Sequence, residues 1–126
     1  MKGLNAEQIL FIHYRLIEET GGSHGVRDTG LLQAAVHCAF AAFGGKDLYP
    51  DAFHKAAALM HSIVKNHPFI DGNKRTAITS AVILLQSNGY VLKISDKEIE
   101  RFTLRAAEGK VNVESMAAWF RKKTLP

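Results

Sequence analysis

Cysteine is all but missing from this chain: Cys38 stands alone among 126 residues, so no intramolecular disulfide can form. A single small thiol reads as a packing residue rather than a nucleophile. Proline is scarce as well, three in all, which leaves long stretches free to run as helices. No apolar run approaches the roughly 20 residues that a bilayer span requires. The first residues carry no basic-then-apolar leader pattern, so a cytoplasmic protein with no membrane partner is expected. There is no Pro/Gly/Ser-rich linker, internal repeat or low-complexity tract. With 47% hydrophobic residues, the expectation is one domain over residues 1–126 with a real core. Charge decides little, because a surplus of +4 suits nucleic acid, nucleotide phosphates or an acidic protein equally. The basic run Arg121, Lys122 and Lys123 reads as the last turn of a helix, where cations face the negative dipole end. No direct nucleic-acid partner is expected.

What the chain does contain is helix punctuation. Asn5 and Gln8 form a capping box ahead of Ile9, Leu10, His13, Leu16 and Ile17, and Thr20-Gly21-Gly22 ends that first helix. Asp28 caps a second, read from Thr29 to Phe43, whose apolar residues leave so few polar positions that a central place in the fold is expected. Pro50 is assigned to the first turn of a third helix. Its stripe of Phe53, Ala56, Ala57, Met60, Ile63 and Val64 stops just before His67. A fourth helix opens near Asn73 and carries Ala77, Ile78, Ala81, Val82, Leu84 and Leu85 to Asn88-Gly89. After an extended stretch from Tyr90 to Ile94, Ser95 with Glu98 starts a fifth helix, and Asn112 starts a sixth reaching at least Phe120. The expected fold is all-α, a single compact bundle of about six helices.

Between the third and fourth helices lies the string HPFIDGNKRT, His67 to Thr76. Pro68 disfavours helical geometry at His67, and Asp71-Gly72 reads as the turn that opens the next helix. The unpaired amides and positive dipole end of that helix make an anion site, to which Lys74 and Arg75 add charge. Each residue type suits transfer of a phosphate-borne group to a hydroxyl. An imidazole can take up a proton near neutral pH, and His67 is the candidate proton acceptor. Asp71 is a hard oxygen ligand for one Mg²⁺ bridging nucleotide phosphates. Gly72 lets backbone approach phosphate, Asn73 either fixes the loop or donates its side-chain amide, and Phe69 anchors the loop. The other histidines do not make a metal site: His54, His61 and His67 lack the three- or four-residue spacing that converges on one helix face.

This string resembles the Fic motif, H-x-F-x-[DE]-G-N-G-R-x-x-R, and within that superfamily it is most similar to the death-on-curing (Doc) branch. Lys74 stands where most Fic enzymes have a second glycine, and Ile78 where they have a second arginine; Doc-type toxins carry N-K-R at this place. The stretch GVRDTGLLQAA, Gly25 to Ala35, and the overall length are also Doc-like. The resemblance implies a Fic-like helical fold, binding of ATP with Mg²⁺, and transfer of the γ-phosphate to a threonine of translation elongation factor Tu. It also implies a cognate antitoxin whose C-terminal segment blocks the site. On this reading Gly72, Asn73, Lys74 and Arg75 bind the nucleotide, and Gly44, Gly45, Lys46 and Asp47 form a flap that pairs with the target's backbone. Thr103 to Gly109 matches an inhibitory pattern of self-restrained relatives, but its glutamate needs the arginine that Ile78 replaces, so Glu108-Gly109 reads as a helix end. Two alternatives stay open: AMP transfer by the same loop, and a non-catalytic module binding protein or nucleic acid.

Overall fold

The computed structural model describes residues 1–126. Six helices and one minimal hairpin follow in the order α1 (Ala6–Thr20), α2 (Thr29–Ala39), β1 (Ala42–Phe43), β2 (Lys46–Asp47), α3 (Ala52–Asn66), α4 (Asn73–Ser87), α5 (Asp96–Ala107) and α6 (Val113–Lys123). The fold is all-α, as expected. The helix starts are chemical as well as geometric. Asn5 and Gln8 exchange side-chain and backbone hydrogen bonds at 2.8 Å in each direction. Asp28, Asp51, Ser95 and Asn112 each accept an amide N–H from the residue three further on. Such caps contribute about 1 kcal/mol apiece.

The central helix is α3, not α2. Ten of its 15 residues are buried, and it packs against α2, α4, α5 and α6. Ala56, Ala57 and Ala58 keep its girth small enough for neighbours on several sides. The second helix stops at Ala39, short of the expected Phe43, because Gly44 and Gly45 take positive φ values of 57° and 79° and turn the chain back on itself. Phe43 pairs with Lys46 in that hairpin and is 72% exposed. Gly-Gly at φ > 0 is the turn chemistry of a two-residue hairpin, and it outweighed the apolar periodicity. Pro50 lies just outside α3, whose N-cap is Asp51. The extended stretch after α4 bridges the last residues, with Lys93 N–H donating to Lys123 O at 2.8 Å and Leu125 N–H to Val91 O at 2.8 Å. No helix is long and apolar enough to cross a membrane.

Candidate active site

The loop between α3 and α4 is where the chain spends its unusual backbone. Pro68 blocks continuation of α3, and His67 caps it in the left-handed region at φ 50°, ψ 63°. It is the chain's one non-glycine residue with positive φ. The His67 N–H donates to Ile63 O at 3.1 Å, while Arg27 Nε donates to His67 O at 2.7 Å and Arg27 Nη2 to Asn66 O at 2.5 Å. The next carbonyl, of Pro68, accepts the N–H groups of Arg27 and Asp28 at 2.7 and 3.0 Å. Ile70 N–H donates to Gly25 O at 3.1 Å, and Val26 bridges Phe69. Gly25 to Asp28 therefore forms the rear wall of the loop, and a β-carbon on Gly25 would meet Ile70 Cδ1 at 2.7 Å. The Doc-like stretch thus has a physical task.

Phe69 is fully buried, stacked on His13 with ring centroids 3.9 Å apart and planes 6° from parallel. Asn73 closes the loop over it: Oδ1 accepts the Phe69 N–H and Nδ2 donates to Phe69 O, both at 2.9 Å. Its side chain fixes the loop, which leaves the Asn73 contribution to a ligand to its backbone amide. Gly72 is the N-cap of α4 at φ 75°, so no side chain caps that helix start. The first amides of α4 are left for a guest.

Asp71 is oriented through both of its carboxylate oxygens. Its Oδ1 accepts Gly72 N–H at 2.8 Å and its Oδ2 accepts Ser23 N–H at 3.0 Å. The Ser23 amide foremost, then the Gly72 amide, with the nearby Arg75 and His13 adding to them, holds this carboxyl below its ordinary range. Its backbone carbonyl accepts a hydrogen bond from His13 Nε2 at 2.8 Å. Arg75 lies 3.9 Å from Asp71 Oδ1 and donates to Thr20 Oγ1 and to Gly21 O. Lys74 points into solvent. An ionised, half-exposed carboxylate beside uncapped helix amides has the hard-oxygen chemistry that would suit a Mg²⁺ ion.

His67, Asp71, Gly72, Asn73, Lys74 and Arg75 line one open cavity of about 280 Å³ with Ile70. It shares lining residues with two others. A cavity of about 620 Å³ shares Lys74 and Arg75 and runs past Ile78 to Ile99, Thr103 and Leu104 of α5. One of about 310 Å³ shares His67 and reaches His61, Glu108 and Gly109. Glu108 caps the end of α5 and pairs with Lys110 at 2.8 Å.

The hairpin is not gathered with these residues. Gly44 and Gly45 form its tip, and buried Lys55 ties its base down by donating to Asp47 Oδ2 at 3.1 Å and to Tyr49 O at 2.5 Å. Lys55 lies twelve residues before His67 on α3, about 18 Å along the axis at 1.5 Å per residue. The geometry follows from α2, which starts beside the loop at Asp28 and ends at the hairpin. Sequence reasoning missed His13, Ser23 and Arg27 as parts of the site. Their partners lie 58, 48 and 40 residues away, beyond the reach of any local pattern.

The chain is also similar in sequence to known proteins. The Fic/DOC family model matches residues 3–85, which run from α1 through most of α4 and include the whole loop. Over 81 residues, 64% of this chain, it is 47% identical to Toxin Doc of Mycolicibacterium smegmatis; the match spans 62% of that relative, less than two thirds of its length. Over 122 residues, 97% of this chain and 95% of the relative, it is 30% identical to Protein kinase doc of Escherichia phage P1. A family match over about two thirds of the chain, with a relative 30% identical along nearly its whole length, means that the chain belongs to the Fic/DOC family.

Proposed function

We propose that this protein is the toxin of a toxin–antitoxin pair and transfers the γ-phosphoryl group of ATP to a serine or threonine hydroxyl of a protein, a threonine of translation elongation factor Tu. The observation that carries the reading is the loop itself. A histidine ring with no hydrogen bond inside the chain, a carboxylate held ionised and two cations meet at an uncapped helix start. The relatives named Toxin Doc and Protein kinase doc support both halves of the proposal.

His67 takes the proton of the acceptor hydroxyl as its oxygen bonds to the γ-phosphorus and the bond to the β-phosphate oxygen breaks, so that ADP leaves. The amides at the start of α4, with Lys74 and Arg75, orient the polyphosphate and offset its charge. Asp71 is the residue that would hold a Mg²⁺ ion, which would supply charge neutralisation to the polyphosphate. Arg75 is braced against Thr20 and Gly21, so its fork is already oriented. The hairpin Gly44, Gly45, Lys46 and Asp47 offers a backbone edge to the acceptor; about six extended residues would span from its base to His67. The antitoxin restrains the enzyme by covering the loop. A cytoplasmic setting follows from such an acceptor.

Phosphoryl transfer is favoured over AMP transfer by Lys74 and Ile78. Lys74 puts a side chain where AMP-transferring relatives have glycine, and Ile78 is 8% exposed and faces the core, with no cation to hold a distal phosphate. The test is label transfer to elongation factor Tu in the presence of Mg²⁺. ATP labelled at the γ-phosphate is expected to mark the acceptor and ATP labelled at the α-phosphate to leave it unmarked. The reverse pattern would establish AMP transfer instead, and no transfer from either would leave a binding module.

A further inference from the structure

We infer that two residues outside the loop, Arg27 and His13, position its two halves separately: Arg27 sets the backbone that carries His67, and His13 sets the backbone that carries Asp71. The inference rests on the phosphotransfer reading above and deepens it, because it assigns each functional group its own support.

His67 sits in a conformation that an L-residue rarely adopts, at φ 50°. The following Pro68 closes the right-handed helical alternative, so the competing state is extended and would swing both ring and carbonyl away. What opposes this is the Arg27 fork. Its Nε and Nη2 take the carbonyls of His67 and Asn66, the last two at the negative end of α3. Its own N–H goes to Pro68 O at 2.7 Å. Arg27 makes no hydrogen bond beyond Pro68. A planar guanidinium can hold two carbonyls at once, and an ammonium cannot reproduce that fork.

His13 takes over at the next residue. Its ring lies flat on Phe69 at 3.9 Å, its Nε2 reaches Asp71 O at 2.8 Å, and it is 4% exposed. It thereby fixes the residues on either side of Ile70, and with them the direction from which the Asp71 carboxylate meets the Ser23 and Gly72 amides. It has no contact with His67 or Asn66 among its bonded or stacked partners. Neither Arg27 nor His13 touches the reacting groups, so both act as positioning residues. The boundary between their territories is the Pro68–Phe69 peptide.

Two variants separate the supports. Arg27→Gln removes the fork and keeps the backbone N–H; His13→Phe keeps the stack and removes the donor. Two quantities are measured on the intact protein: the dissociation constant of the Mg²⁺ complex of AMP-PNP by calorimetry, and kcat for γ-label transfer to elongation factor Tu. Arg27→Gln is expected to lower kcat by about tenfold or more with nucleotide affinity within about twofold, since misplacing a reacting group costs rate rather than binding. His13→Phe is expected to weaken Mg²⁺-dependent AMP-PNP binding by about tenfold, the lower end of what supports of metal ligands contribute, while Mg²⁺-free binding is unchanged. The ¹⁵N amide resonance of His67 moves in the first variant and that of Asp71 in the second. Restoring a donor in His13→Gln recovers Mg²⁺-dependent binding, whereas Arg27→Lys stays defective; these two also carry the test if either first variant fails to fold. Parallel losses of kcat and affinity in both variants, or no loss in either, would overturn the division. If the unaltered protein labels no acceptor, the phosphotransfer proposal falls, and the binding and resonance measurements still decide the two supports.

Discussion

Helix α3 carries a histidine near each end, and the two live in opposite circumstances. At its start, His54 Nδ1 lies 2.8 Å from Asp51 Oδ2 and its Nε2 lies 2.9 Å from Glu114 Oε2 of α6. Both ring nitrogens are spoken for, and Arg121 of α6 completes the cluster at 3.2 Å from Asp51. At the helix end, His67 uses only its backbone for hydrogen bonds, and its ring is free. An imidazole saturated by carboxylates ties two helices together and has nothing left to offer a substrate. An imidazole whose backbone is strained and braced, but whose ring is unsatisfied, is what proton transfer needs. The difference lies in who holds the residue: side-chain partners for His54, backbone partners for His67.

That contrast breaks most visibly at His67. Replacing it with alanine is expected to lower γ-label transfer by about 10²- to 10⁴-fold, the usual worth of a positioned base. Because the ring has no partner to lose, stability should change by no more than about 0.5 kcal/mol. Thermal melts beside transfer assays check both halves. A folded His67→Ala protein that still transfers at the original rate would place the base elsewhere, and the two histidines would no longer differ in kind.

Asp71 comes next in size. Asn keeps the shape and still accepts one of the two amide hydrogen bonds through its oxygen, but it lacks the charge for a hard cation. Asp71→Asn is expected to weaken Mg²⁺-dependent nucleotide binding roughly 100-fold, the upper end of effects seen around metal ligands. Titration calorimetry with and without Mg²⁺ measures it. If affinity and Mg²⁺ dependence survive, the carboxylate serves only to tie Ser23 and Gly72 into the turn.

The loop was legible in the sequence because its requirements are local. Proline sets the end of α3, glycine permits the φ of 75° at the α4 N-cap, and Asn73 reaches back four residues to Phe69. Helix starts were legible for the same reason, since a cap and its partner lie three residues apart. Failures came where a distant or competing requirement decided. The extent of α2 was set by the Gly44-Gly45 turn, against its own apolar periodicity. Its expected centrality went to α3, since burial on every side depends on what packs around a helix, and small alanines at 56 to 58 admit more neighbours than larger apolar residues do. His13, on sequence a packing or surface residue, is a packing residue. That its packing partner is Phe69 and its acceptor Asp71 is a fact of tertiary structure alone.

The smallest effect sharpens the contrast from the His54 side. The hydrogen bond to Glu114 foremost, with Asp51 adding to it and burial opposing, raises the His54 pKa above its ordinary value of about 6.5. A group whose folded pKa is raised contributes stability that is fully present below the unfolded value and is lost as pH climbs through the folded one. Burial pushes the Asp51 carboxyl up, but the hydrogen bonds from His54, with the His54 and Arg121 charges, outweigh it and leave its pKa lowered. The Asp51 contribution is therefore present above about pH 4 and is lost as acid protonates it. Between about pH 4 and 6.5 both act together. His54→Gln should accordingly cost most stability near pH 5 to 6. The cost should shrink as pH rises past the His54 titration. Glu114 is 78% exposed, so solvent screening limits the charged part to about 1 kcal/mol or less. Urea midpoints of the two proteins across pH 5 to 9 measure the gap. A gap of constant size would mean that neutral hydrogen bonds, not the imidazolium, join α3 to α6.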